Sequence, residues 1–418
     1  MKIILSTLPK EGGAIQWFSP KYYLPDTSAY APLGLLSLAT NIPQGNEVKI
    51  LDPHSHNWSI DRTMQEIEKE KPDILGLSVV TSKAYQMTQI LKNTSALYKV
   101  VGGPHVTHNY NHILSQGADA VFLGQLADLE FSEAIQVRPR GVIECNTQIN
   151  QIKFPDRSFI DQEFYYSTGN LFKSNKRMSM FSGVGCPNHC NFCDVQTKKI
   201  HRKDTKAVLD EMIYLQSIGA GSVHVYEDNF NTDKRYLEKL CKEMDKREFS
   251  LEWSGRGQAK MDLGTAKMLS DRKFKRIHVG IEALSDETLR FFGKKQDVNQ
   301  VQEFCDIMNK NSIDIVGFFI IGTPTETEED RKTLSKKVKE LGIKYPLFSI
   351  LQPLPNTQYY KDLLNQGVYQ RDFWGDYIKN PTKDFMIPFP YGEDKWKRDA
   401  KFIEELIDDF KNNPQDDF

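Results

Sequence analysis

The chain has 418 residues, long enough for two domains and a small third piece. Its 54 basic and 56 acidic residues leave a net charge of -2, so the balance calls for no polyanionic partner, and no nucleic acid is expected. With 39% apolar residues and no stretch of about 18 uninterrupted apolar ones, it reads as a globular protein without a membrane span.

Residues 2–8 form a short apolar run with no long hydrophobic region or small-residue cleavage site behind it. This predicts a first β-strand and not a signal peptide. Similar runs rich in Val, Ile and Leu at 47–52, 73–80, 98–102 and 120–123 predict further strands covered on both faces. Helical segments lie between them at 33–41, 59–69, 83–93 and 110–116, and another closes the series at 130–137; the second shows Ile60, Met64 and Ile67 on one side. The fold class expected for residues 1–150 is therefore α/β, a doubly wound, Rossmann-like parallel sheet. Ligands of such sheets sit outside the carboxyl ends of the strands, here 7–13, 52–57, 78–82, 102–105 and 124–127. Gly102, Gly103 and Gly124 fall where backbone must turn sharply or approach a flat ligand. His105, after two of those glycines, either faces a ligand or caps a loop. Residues 151–175 lack periodicity and hold Pro155, which suits a linker.

Three of the six cysteines, Cys186, Cys190 and Cys193, then fall within eight positions. Thiolates so spaced can converge on one metal centre. Zinc would need a fourth ligand, for which His189 or His201 is available; three unrelated buried cysteines are a further reading. Soft thiolates also suit an iron–sulfur cluster, and three on a four-iron cluster would leave one iron open. Cys145, Cys241 and Cys305 read as buried or free thiols, and the clustering suits a reducing, cytoplasmic compartment. Strands are expected at 177–182, 222–226, 252–257, 276–281, 314–321 and 347–352, with helices at 205–218, 234–246, 263–270, 299–309 and 325–341. Six βα units predict a partial (β/α)6 barrel over 176–360, with its chemistry at the carboxyl ends of the strands. Those ends carry Glu227, Asp228 and Asn229, then Arg256, Glu282 and Gly322. Taken singly, Glu282 could assist a helix cap and Arg256 could be a surface charge pair. Residues 361–418, holding Trp374, Tyr377, Phe385, Phe389, Tyr391 and Trp396, are expected to form a C-terminal helical cap.

The Cys-x-x-x-Cys-x-x-Cys run, with Phe192 before its last cysteine, resembles that of the radical S-adenosylmethionine (SAM) enzymes. The pieces at 32–39, 48–52, 73–78, 101–105 and 117–124 resemble the cobalamin (B12)-binding-type domain that precedes many such cores, as in the class B methyltransferases. The resemblance implies a [4Fe-4S] cluster on Cys186, Cys190 and Cys193. It implies SAM on the open iron, near Phe192, with Glu227, Asp228 and Asn229 at its amino group and Arg256 at its carboxylate. Glu282 would lie near SAM or substrate, and the Gly322 turn would line the adenine. It implies cobalamin against Gly102, Gly103, His105 and Gly124, an electron donor of flavodoxin or ferredoxin type, and a small-molecule or peptide substrate. The implied chemistry is reductive cleavage of SAM to a 5′-deoxyadenosyl radical, feeding cobalamin-dependent methylation of an unactivated carbon. A radical SAM cyclase, rearrangement or oxidation enzyme with a degenerate cobalamin domain is the second reading. A zinc-stabilised binding protein without catalysis is the third. Two departures bear on cobalamin. The family's cobalt-ligating Asp-x-His-x-x-Gly has no counterpart after the first strand, since His54 and His56 follow the second. Gly124 is followed by Gln125, Leu126, Ala127 and Asp128 where relatives show Gly-Glu-Gly-Glu.

Overall fold

The computed structural model describes residues 1–14, 30–166 and 176–412. The described residues divide into two compact units, one of 1–14, 30–165 and 371–387, the other of 166, 176–370 and 388–412.

The first unit alternates β1 (Lys2–Ser6), α1 (Leu33–Asn41), β2 (Glu47–Leu51), α2 (Ile60–Glu70), β3 (Ile74–Ser78), α3 (Ala84–Asn93), β4 (Tyr98–Gly102), α4 (Val106–Ser115), β5 (Ala120–Leu123), α5 (Asp128–Val137) and β6 (Gly141–Glu144). All six strands are parallel, in the order β2-β1-β3-β4-β5-β6, so the winding reverses between β1 and β3. Side chains alternate across the sheet, and both faces are covered. Ile3, Leu5, Ile74, Val100 and Ala120 pack with Leu35, Phe131 and Ile135 on one side. Ile4, Leu75, Val101 and Val121 pack with Ile67, Met87, Ile90 and Ile113 on the other. Local chemistry sets the helix ends: the Ser59 hydroxyl accepts from the Arg62 amide at 3.1 Å, and Lys71 stops α2 in a left-handed conformation. β6 was not among the expected strands. It has four residues at the sheet edge whose burial alternates between half-buried and exposed, so it lacks the apolar run that marks the buried strands.

The second unit runs β7 (Arg177–Met180), β8 (Gly183–Val184), β9 (His201–Arg202), α6 (Thr205–Ser217), β10 (Ser222–Val225), α7 (Lys234–Met244), β11 (Glu252–Gln258), α8 (Leu263–Ser270), β12 (Phe274–Glu282), α9 (Asp286–Phe291), α10 (Val298–Lys310), β13 (Asp314–Ile321), α11 (Glu328–Glu340), β14 (Tyr345–Ile350) and α12 (Gln358–Asn365). Six of its strands form a parallel sheet, β7-β10-β11-β12-β13-β14, while β8 and β9 make a separate antiparallel pair. The sheet is curved. His224 on β10 and His278 on β12 bring their rings to 4.8 Å across the intervening β11, on which His224 is level with Ser254 and His278 with Arg256. Two strand spacings on a flat sheet would hold them about 9–10 Å apart. The convex side is fully buried at Val225, Trp253, Ile277 and Val279. The partial (β/α)6 barrel is thus present, with an extra helix, α9, after its fourth strand.

The tail does not stay together. The helix α13 (Phe373–Lys379) belongs to the first unit, where the Tyr377 hydroxyl accepts from the Tyr85 amide and donates to the Ser82 carbonyl, both at 3.3 Å. The helix α14 (Glu393–Asn412) belongs to the second. The expected linker lies partly outside the described residues. Its described part carries single 3-10 turns at Arg157–Phe159 and Glu163–Tyr165, within the first unit.

Candidate active site and cofactor sites

The cysteine loop is strung between β8 and β9. Gly185 opens it with φ of +99°, and a Cβ there would lie 2.2 Å from the Lys199 carbonyl oxygen, so only glycine fits. The Gly185 amide donates to Asp228 at 2.7 Å, and the Cys186 amide to Thr197 O at 3.0 Å. Farther along, Asn191 donates to the carbonyls of Phe291 and Phe292, and its own carbonyl accepts from the Tyr359 amide. Phe192 meets Phe292 edge to face at 5.0 Å, so its ring packs the loop onto the barrel. All three thiols are free and half-buried. Burial pushes the Cys190 and Cys193 thiols up, and the three thiols act electrostatically on one another. Among the described residues no three His, Cys, Asp or Glu side chains converge as a single metal ion would require.

Glu227, Asp228 and Asn229 follow β10 and face this loop. Glu227 is buried and already engaged: Arg202 Nε donates to it at 2.7 Å and the Ser182 hydroxyl at 2.5 Å. Its expected contact with an ammonium is therefore taken by a guanidinium from β9. Asp228 is exposed and holds Gly185. Asn229 is 2% exposed; its Nδ2 lies 3.6 Å from Cys186 Sγ, while its buried Oδ1 has no hydrogen-bond partner among the described residues.

Arg256 stacks over the Tyr226 ring at 4.7 Å and sits in register with His278. That places it one inward-facing position below Gln258 at the end of β11. Glu282 ends β12 at a bulge, with φ of +67°, and is paired at 3.0 Å to Lys294, whose Nζ also donates to Gly280 O. Burial pulls the Lys294 ammonium down, but Glu282 and the nearby Cys190 outweigh it and the net shift is upward. Gly322 ends β13. Its carbonyl accepts from Lys395, and a Cβ on it would meet Asp399 at 2.5 Å, so α14 packs on this turn. Arg202 and Lys294 were not singled out from the sequence. Each acts through a carboxylate 12 or more positions away, and no local pattern marks such pairs.

In the first unit Gly103 has φ of +97°, and a Cβ on it would lie 2.8 Å from both the N and O of Val79, a close crossing of two backbones at the carboxyl ends of β3 and β4. Beside it, Gly102 has nothing among the described residues within 4 Å of its Cβ position, and Gly124 abuts Cys145. His105, named for a cobalamin contact, is fully buried at the start of α4. Its Nδ1 faces Thr81 Oγ1 at 3.2 Å, and burial pulls its pKa down to about 3, so it is a neutral interior group and not a surface offered to a ligand. Lys83 Nζ donates to the carbonyls of Leu8 and Pro9 and meets His54 Nδ1 at 2.8 Å. Burial first, and then Lys83, bring His54 down to about 4. His56 stacks on Phe164 at 3.9 Å. Both histidines are thus engaged within the loops.

Residues 180–338 match the radical SAM superfamily model, and residues 27–129 match the B12-binding domain model. Residues 180–338 thus form a radical SAM domain. A B12-binding domain precedes its radical SAM domain, and the protein is an enzyme of that class, with a [4Fe-4S] cluster, SAM and cobalamin as cofactors. It is 25% identical over 380 residues to an uncharacterized methyltransferase of Pyrococcus horikoshii, covering 83% of this chain and 81% of that one. It is 23% identical over 397 residues to the bacteriochlorophyllide d C-12(1)-methyltransferase of Chlorobaculum tepidum, covering 90% of this chain and 81% of that one. The radical SAM methyltransferase TsrM of Kitasatospora setae superposes with a TM-score of 0.64 at 17% identity, over 87% of this chain and 76% of TsrM, which is a likeness of fold. No helix among the described residues is long and apolar enough to cross a membrane.

The residues present fit the cofactors of these domains. One loop, fixed at both ends, carries three free thiols for the cluster. Asn229 Oδ1, an orphaned buried acceptor beside Cys186, suits a cationic donor such as the SAM ammonium; leaving such a group unmet costs about 1–3 kcal/mol. Among the described residues nothing lies within 4 Å of a Cβ placed on Gly102, which would leave bare backbone for a corrin to approach.

Proposed function

We propose that the protein is a cobalamin-dependent methyltransferase that alkylates an unactivated carbon. Cys186, Cys190 and Cys193 hold the cluster, and Asn229 Oδ1 accepts from the SAM ammonium. The buried, partnerless oxygen of Asn229 beside Cys186 is the observation that carries this assignment. Arg202 neutralises Glu227 and ties the carbonyls of Asn229 and Phe230, so the rim segment is held before SAM arrives. Arg256 offers its guanidinium to a carboxylate, with Tyr226 fixing its plane. Glu282, paired with Lys294, presents a fixed acceptor at the end of β12. Phe192 seals the loop against Phe292 and keeps water from that side. When bound, the cofactors supply reductive cleavage of SAM and a transferable methyl group; the chain positions them and excludes solvent. Methyl transfer is favoured by the B12-binding domain together with relatives named as methyltransferases. Those named for bacteriochlorophyllide suggest a large, mainly apolar substrate.

The test is anaerobic reconstitution followed by assay of 5′-deoxyadenosine and S-adenosylhomocysteine with and without cobalamin. Methylation predicts both products, the second only with cobalamin. Deoxyadenosine alone, indifferent to cobalamin, would mean a cyclase or oxidation enzyme. Cys190→Ala should lose iron and both products; if it keeps deoxyadenosine formation, the cluster assignment is wrong.

A further inference from the structure

We propose that the substrate is an apolar molecule bearing one carboxylate, and that Arg256 receives this carboxylate at the foot of an apolar well on the concave side of the barrel sheet. This rests on the function proposed above, which puts a substrate at this end of the barrel. Ring and cation contacts fix which side chains share the concave side. Tyr226 lies 5.7 Å from His224, Arg256 stacks over Tyr226 at 4.7 Å, and Phe318 lies 6.4 Å from His278. Two layers follow, and they differ in exposure. In the lower one His224, Ser254 and Arg276 are 3%, 0% and 4% exposed. One layer up, Tyr226 is 36% exposed, and Arg256, His278 and Phe318 are half-buried. The concave side is therefore open down to Arg256 and closed beneath it. The walls of this well are apolar. Phe181 meets Tyr226 edge to face at 6.4 Å, Leu347 is level with Phe318, and both are half-buried.

The charge at the foot of the well is unmatched. Among the described residues Arg256 stacks on Tyr226 and has no ion pair. The acids nearby are engaged: Glu227 with Arg202, Glu282 with Lys294, Asp314 with Arg276, and Asp228 with the Gly185 amide. A guanidinium partly withdrawn from water favours an anion beside it, and its planar fork fits a carboxylate. Level with it on β12, His278 holds a buried Nε2 that has no hydrogen-bond partner among the described residues. With the ring proton on Nε2, this group donates to the same anion. Burial above all holds the imidazoles of His224 and His278 well below their ordinary pKa, and the nearby guanidiniums act in the same direction. Both rings are neutral, so this layer carries the one positive charge of Arg256, which suits a monoanion. Its position separates it from SAM. Arg256 lies one inward-facing position, roughly 7 Å of strand, below Gln258, whose Oε1 accepts from Asn188 of the cysteine loop at 3.4 Å. Tyr226, on the neighbouring strand at the same level, draws the guanidinium sideways and not up toward that loop. The carboxylate it receives is then the substrate's, which enters first and leaves the apolar body above it, toward the thiols.

The experiment is isothermal titration of the reconstituted, cobalamin-loaded protein, with SAM present and no reductant. Three probes share one apolar body: 1-naphthaleneacetate, 2-(1-naphthyl)ethanol and 1-naphthyl phosphate. The acid should bind the wild type at least about tenfold more tightly than the alcohol, and more tightly than the phosphate. Arg256→Gln should lower acid affinity at least about tenfold and leave alcohol affinity within about twofold, which erases the preference. His278→Phe should lower acid affinity about threefold. Iron content and unfolding temperature show that each variant keeps its barrel. SAM affinity is titrated in parallel. An alcohol that binds the wild type as tightly as the acid overturns the proposal, and that comparison needs no variant. So does acid binding absent at millimolar concentration, or a phosphate preferred to the acid. A loss of SAM affinity in Arg256→Gln larger than its loss of acid affinity would return Arg256 to SAM and overturn it as well. Neither SAM cleavage nor methyl transfer is measured, so a failure here is distinct from a failure of the methylation assay.

Discussion

Arg202 is the residue whose removal should report most directly on how the barrel rim is built. Its side chain is 10% exposed, and that of its partner Glu227 is 0% exposed. Beyond the ion pair at 2.7 Å, it donates to the carbonyls of Asn229 and Phe230 and to Thr232 Oγ1, and it stacks over Tyr236. Arg202→Met keeps most of the volume and strands the carboxylate, with only the Ser182 hydroxyl left to it. Breaking a buried pair from one side costs about 3–5 kcal/mol, much of it the penalty of the charge left behind. For a unit of this size each kcal/mol moves the melting temperature about 2–4 °C, so the variant should melt roughly 6–20 °C lower in the transition of the second unit. The double variant Arg202→Met/Glu227→Gln removes the stranded charge and should recover more than half of that loss. Thermal unfolding followed by circular dichroism, with SAM affinity measured alongside, reads both effects. SAM affinity should fall in both variants, because the carbonyls of Asn229 and Phe230 lose their donor. A shift below about 2 °C in the single variant, or a double variant less stable than the single one, would refute the view that Glu227 depends on Arg202.

Three further expectations follow from particular contacts. Gly185→Ala forces a Cβ against Lys199 O in a left-handed backbone, where a side chain alone costs about 1–2 kcal/mol; the reconstituted protein should carry little iron while its unfolding temperature changes by only a few degrees. Gly103→Ala pushes a Cβ to 2.8 Å from the Val79 backbone, so hydroxocobalamin binding measured by equilibrium dialysis should weaken at least tenfold with dithionite-driven deoxyadenosine formation intact. His105 titrates near 3 when folded and near the ordinary 6.5 when unfolded. The unfolded chain therefore takes up its proton first as pH falls, and stability is lost progressively from about pH 6.5 down to about pH 3. The loss should reach about 2 kcal/mol at pH 5 relative to pH 7.5, and His105→Asn should remove that part of the acid limb.

What the amino-acid sequence discloses and what it hides divide along a physical line. Near-continuous runs of Ile, Val and Leu disclose β1, β3 and β4, because a strand buried on both faces has few polar residues to interrupt it. The same rule hides β6, which stands at an edge, and β8 and β9, whose two residues each are too short for any period. The cysteine spacing is legible because a loop around a cluster is local in the chain. The state of Glu227 is not, because it is decided by Arg202, 25 positions earlier, arriving from another strand. The tail shows the limit most clearly. Trp374, Tyr377 and Phe385 mark it as apolar enough to pack, but packing is non-directional, and nothing in an aromatic side chain says which of two cores it will join. Single polar contacts, such as the Tyr377 hydroxyl between Tyr85 and Ser82, add direction to that packing, and they exist only once the first unit has folded. Tyr377→Phe keeps the apolar area and removes only this bridge. It should therefore leave α13 in place but loosen it, raising the amide exchange of residues 373–379 and of the Tyr85 amide together. Exchange that stays at wild-type values in both places would mean that packing, and not the hydroxyl, holds it there.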